Sequence, residues 1–81
     1  MYIIDDVAKT SLSQILLLLE VSDVKQLIFD LGQLLENKDD INYHFHLNDA
    51  LYQKEITVCL INGNDTSYFH PDIIEIIAKE L

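Results

Sequence analysis

Hydrophobic positions along this chain recur with two periods, and the change from one to the other marks its elements. Val24, Leu27, Ile28, Leu31, Leu34 and Leu35 return every three or four residues, which is one stripe of an amphipathic helix. Ser22 suits the N-cap of that helix, Asp23 suits the positive end of its dipole, and the pattern ends near Asn37. From Asn42 to Leu47 the period shortens to two. Tyr43, Phe45 and Leu47 then share one face of a strand, with His44 and His46 on the other. Ile56, Val58 and Leu60 alternate in the same way with Thr57, Cys59 and Ile61. A charged connection, NKDDI, precedes the first of these strands, and a loop over residues 48–54 leads to the second.

Four further segments complete the picture. The opening MYIIDDVA predicts a short strand followed by a turn around AKTS. Residues 14–21, QILLLLEV, form a continuous apolar run of strand length. Ser11 and Gln14 offer a capping box for a competing helix, but the stronger helix start just after the run favours a strand. Asn62-Gly63 predicts a tight turn, after which residues 65–69 pair back as a short strand. Pro71 opens a final helix with Asp72 and Glu75 in its first turns and Ile73, Ile74, Ile76, Ile77 and Leu81 on its apolar face.

The order strand, strand, helix, strands, helix predicts an α+β two-layer sandwich. Its mostly antiparallel sheet would have four to five strands with both helices on one face, in a single domain over residues 1–81. The other sheet face would carry His44, His46, Thr57, Cys59, Ile61 and alternate leucines of the 15–19 run. That face is too apolar to be left to water, so a second copy or a partner is expected on it.

Composition sharpens this reading. Apolar residues make up 49% of the 81, with one Pro and two Gly, which argues against disorder and against a loop-rich scaffold. The lone Cys59 cannot form an intrachain disulfide, and no secretory signal opens the chain, so a reducing cytoplasm is expected. The longest apolar run, Ile15 to Leu19, is far too short to span a bilayer.

Charge says more. Fourteen acidic residues face five lysines and no arginine, for a net charge of −9. Such a field disfavours nucleic acid and anionic membranes, both of which are bound by neutralising phosphate with Lys or Arg. It favours a basic protein partner and speeds their encounter, although an acidic surface also serves solubility alone. Without arginine the chain lacks the usual bidentate clamp for phosphate or carboxylate substrates.

Candidate chemistry is sparse. His44 and His46 point from one strand face, and with Cys59 and His70 a mixed His/Cys metal site is conceivable. Zinc sites want three or four well-fixed ligands, so two half-buried surface histidines are the plainer reading, and neither metal nor cofactor is expected. Cys59 lies mid-strand among apolar residues in an acidic chain, without the electropositive setting that activates a thiolate. Asp39 and Asp40 form a surface acid pair, and no glycine-rich phosphate cradle is present. An enzyme is not expected. Phe29 falls outside the helix stripe, beside Gln26, Gln33 and Glu36, and Tyr52 occupies the loop between two strands. Each either tucks under a loop or anchors an interface.

The stretch VSDVKQLIFDLGQLLEN, followed by HFHLND and KEITVCLIN, resembles small immunity proteins of bacterial polymorphic-toxin and contact-dependent growth-inhibition systems. The likeness rests on a strand, a helix and an aromatic-flanked His-x-His-Leu strand over residues 14–62. It implies a cytoplasmic non-enzyme that binds and neutralises the C-terminal domain of a cognate toxin. Many such toxins are nucleases with basic clefts, which an acidic protein would occlude by shape and charge. On that expectation Glu36, Asp39, Asp40 and Asp49, which the coarse topology gathers around one end of the strand hairpin, steer the partner, Phe29 or Tyr52 anchors it, and His44 and His46 mark the family-like strand at the contact. Self-association through the open sheet face, as a small regulatory module, and a metal-binding accessory module are the alternatives.

Overall fold

The computed structural model describes residues 1–61 and 66–80, in the order β1 (Ile3–Asp5), β2 (Thr10–Leu12), α1 (Val21–Glu36), β3 (His44–Asn48), β4 (Glu55–Cys59) and α2 (Pro71–Glu80). They divide into two compact units, one of residues 18–64 and the other of residues 1–17 with the segment from 65 onward.

In the first unit α1 packs on the β3–β4 hairpin. The strands pair antiparallel with His44 opposite Cys59, His46 opposite Thr57 and Asn48 opposite Glu55. Period-two patterning then sorts the side chains: Phe45 and Leu47 are buried and Ile56 and Val58 half-buried, while His44, His46, Thr57 and Cys59 are exposed. Leu34 supplies the buried residue of α1, at 4% exposure. The helix starts two residues before its expected cap. Glu20 is the N-cap, and it shares a capping box with Asp23, whose carboxylate accepts the Glu20 N–H at 3.1 Å. Ser22 therefore lies within the first turn. Asn37 closes the other end, its side-chain amide donating to the Gln33 carbonyl at 2.8 Å.

In the second unit β1 and β2 form a short antiparallel hairpin, Ile3 opposite Leu12. Asp5 organises the turn: its carboxylate accepts the Val7 and Ala8 N–H groups, each at 3.0 Å, and Lys9 takes up φ 56°. The strand at the start was expected, but the turn falls on residues 6–9 and releases Thr10–Leu12 as a second strand. α2 begins at Pro71 as its sequence predicts, with Asp72 in the first turn, Lys79 in the last and Ile77 buried. His70 caps it by accepting the Asp72 N–H on Nδ1 at 3.1 Å. The Ser11 hydroxyl donates to the Glu80 carboxylate, tying β2 to the end of α2.

The four-to-five-stranded sandwich is not formed. Among the described residues there are two separate two-stranded sheets, β1–β2 and β3–β4, so no continuous sheet exists for both helices to cover, nor an open face of one. The 14–21 run is the source of the discrepancy. Its apolarity and length suit a strand, but a strand exists only through a ladder partner, and here residues 14–20 pair with none of the described residues. Ile15 to Leu18 stay exposed, and from Val21 the chain is already helical. The expected return strand at 65–69 is also absent over residues 66–69, which turn instead, with the Phe69 N–H donating to the Thr66 carbonyl at 3.1 Å. The Asn62-Gly63 turn lies outside the described residues.

Candidate functional site

The groups singled out by the sequence gather on the first unit. His44 and His46 project from one face of β3, their rings edge to face with centroids 4.9 Å apart. His44 Nδ1 lies 2.9 Å from the Asn42 carbonyl oxygen. A carbonyl only accepts, so that nitrogen carries the proton. His46 Nδ1 stands 2.8 Å from Thr57 Oγ1 and 3.2 Å from Glu55 Oε1, both reaching across from β4. Each ring is thus oriented by a neighbour through its Nδ1. Two imidazoles fall short of the three or four ligands of a zinc site. Among the described residues no group of three or more His, Cys, Asp and Glu is placed to hold a metal ion. The third histidine, His70, belongs to the other unit, where it caps α2.

Asp49 is the hub of the β3–β4 loop. Its Oδ1 accepts the Gln53 N–H at 2.7 Å and the Lys54 N–H at 3.0 Å, while its backbone N–H donates to the Lys54 carbonyl at 3.2 Å. This explains why an aspartate follows the strand: its short carboxylate satisfies backbone donors that the loop leaves without a ladder partner. The loop drives Tyr52 into the left-handed region at φ 55°, a conformation uncommon for residues other than glycine. The phenol ring is thereby held out in solvent at 80% exposure.

The remaining acids collect at the far end of the hairpin. Glu36 ends α1, and Asp39 and Asp40 follow in the turn, where the Asp40 carboxylate accepts the Asn42 N–H at 3.0 Å. The last turn of α1 holds no basic residue, so Glu36 adds to the negative pole of the helix dipole instead of offsetting it. With Asp39 and Asp40 beside it, this corner concentrates negative potential, Lys38 being the one cation of the segment. β3, five residues or roughly 17 Å long at about 3.4 Å per residue, runs between the Asp39–Asp40 turn and Asp49. Sequence reasoning grouped all four acids at one end of the hairpin; the structure sets three at one end and Asp49 at the other.

Phe29 projects from α1 at 61% exposure, outside the stripe that faces β3. Among the described residues no loop covers either aromatic. Sequence reasoning missed the pairing of His46 with Glu55 and the stapling by Asp49. The first depends on a strand register that no local signal specifies. The second is readable in principle, since Asp at the start of a loop is a recognised turn former.

In the second unit, Met1, Tyr2, Ile3, Leu12, Ser13 and Glu80 line a shallow open depression whose one carboxylate, Glu80, accepts the Ser11 hydroxyl. No helix among the described residues is long and apolar enough to cross a membrane. No family model, curated protein or solved structure matches the chain.

Proposed function

We propose that this chain is a non-enzymatic binding protein that neutralises a basic protein partner by covering it, in the manner of the immunity proteins its central stretch resembles. The partner would be the C-terminal domain of a cognate toxin, a nuclease by preference, because a cleft that holds phosphate must be cationic. What supports the reading above all is Tyr52: a large aromatic held out in solvent by a loop that places it in an unfavourable backbone conformation. Exposed tyrosines are among the residues that carry binding energy when an interface buries them. The net charge of −9 and the acidic corner at Glu36, Asp39 and Asp40 add a steering field. His44 and His46 sit on the same hairpin as Tyr52 and would lie beside the contact.

Co-expression tests the reading. Cells making the toxic domain encoded beside this chain should survive when the chain is present, and the purified pair should form a one-to-one complex. Death of those cells despite abundant, folded protein would defeat it.

A further inference from the structure

His44 and His46 are both held by their Nδ1 atoms, which leaves two Nε2 atoms to be accounted for. His44 Nδ1 donates to the Asn42 carbonyl oxygen. His46 Nδ1 faces two oxygens of β4, Thr57 Oγ1 at 2.8 Å and Glu55 Oε1 at 3.2 Å. A carboxylate oxygen repels a bare ring lone pair, so this nitrogen carries the proton as well. In the neutral rings both Nε2 atoms then keep their lone pairs, and neither has a hydrogen-bond partner among the described residues. A ring N–H donated to a backbone carbonyl or a carboxylate is how metal-binding histidines are oriented and made more basic. β3 presents that arrangement twice, two residues apart.

Strand register creates it. His46 lies opposite Thr57, and Glu55 follows two residues away on the same face of β4. Both rings are exposed, so an ion and its waters have room.

The spacing of the rings fits one ion. Imidazole–metal bonds of about 2.0 Å put the metal about 3.2 Å from each ring centre. Ring centres 4.9 Å apart then subtend about 100° at the ion, between a right angle and the tetrahedral angle. Bonding requires only that each Nε2 lone pair aim at the metal, so ring planes 87° apart are compatible with it.

Zinc's demand for three or four ligands set the expectation of no metal, and no third His, Cys, Asp or Glu among the described residues joins the pair. A tetragonal ion asks less of the protein. Copper(II) stands highest in the divalent affinity order and accepts square or tetragonal sets of nitrogen and oxygen donors, with nickel(II) below it. Two adjacent imidazole nitrogens with water in the other positions make such a set. We propose that His44 and His46 bind one copper(II) ion through their Nε2 atoms, with the Asn42 carbonyl and Glu55 orienting the rings. The site belongs to the free chain and does not rest on a toxin partner.

Copper(II) sulfate titrated into the full chain, followed by calorimetry and electron paramagnetic resonance, tests the proposal. One equivalent should bind, with a tetragonal spectrum split by two nitrogens. His44→Gln and His46→Gln should each raise the dissociation constant about tenfold or more, and since both positions are exposed the circular dichroism should stay that of wild type. His70→Asn, which keeps an acceptor at the start of α2, should bind copper(II) like wild type. So should Cys59→Ser, although Cys59 lies opposite His44. Glu55→Ala should weaken binding about tenfold, and Glu55→Gln, which keeps an acceptor facing Nδ1, should recover most of the loss. Nickel(II) should bind more weakly than copper(II). A chain that takes up no stoichiometric copper(II) at roughly millimolar concentration, a spectrum unchanged in both His→Gln variants, or binding lost in Cys59→Ser would each overturn the proposal.

Discussion

Tyr52 concentrates the tension between folding and binding at the scale of one residue. A left-handed backbone costs a residue with a Cβ about 1 kcal/mol, and nothing is gained within the chain from a ring that is 80% exposed. Tyr52→Gly removes both the strain and the ring. The urea midpoint of the variant should hold or rise, while affinity for the toxic domain should fall about tenfold or more. Tyr52→Ala keeps the Cβ and should lose affinity without any gain in stability. If both variants bind as well as wild type, the ring is no anchor. The sequence marks Tyr52 as ambiguous because exposure is a property of the loop that carries it. Asp49 decides that loop, through two backbone donors that no periodicity reveals.

α1 shows at the scale of one element how a helix can be optimised against its own dipole. Its N-terminus is well made, with the Glu20–Asp23 capping box, but its last turn carries Glu36 where a cation would be favoured. Glu36→Lys should stabilise the helix by about 0.5 kcal/mol, read as a higher urea midpoint. The same change should slow association with a basic partner and weaken it severalfold. A variant that is both more stable and equally fast in binding would remove Glu36 from the steering set. Helix periodicity makes α1 and α2 readable almost to their ends, since three- and four-residue spacing and Pro71 act locally. The 14–21 run defeats the same reading for the complementary reason. A helix satisfies its backbone from within, whereas a strand depends on a distant partner that composition cannot name.

Net charge acts on the whole molecule, and it acts on folding and on binding with opposite signs. Repulsion among fourteen acids destabilises the compact chain, and salt relieves it. Attraction to a basic partner weakens over the same range, as the Debye length contracts from about 30 Å at 0.01 M to about 8 Å at 0.15 M. The thermal midpoint of the isolated chain should therefore rise with sodium chloride while the association rate with the toxic domain falls. Fluorescence-monitored melting and stopped-flow mixing across one salt series would check both. A complex insensitive to salt would leave steering without support.

Whatever a few neighbouring residues can decide is already written in the order of the amino acids. The two helices, the alternation that buries Phe45 and Leu47 and turns His44 and His46 outward, and the acidic charge all follow from spacing and composition. Folding in three dimensions chose which strands pair, and so replaced one broad sheet with two hairpins. It also parted Asp49 from the other acids and left one ridge of α1 in solvent. Those outcomes belong to contacts between segments far apart in the chain, where loop-closure entropy and register compete and local preference carries no information about which partner wins.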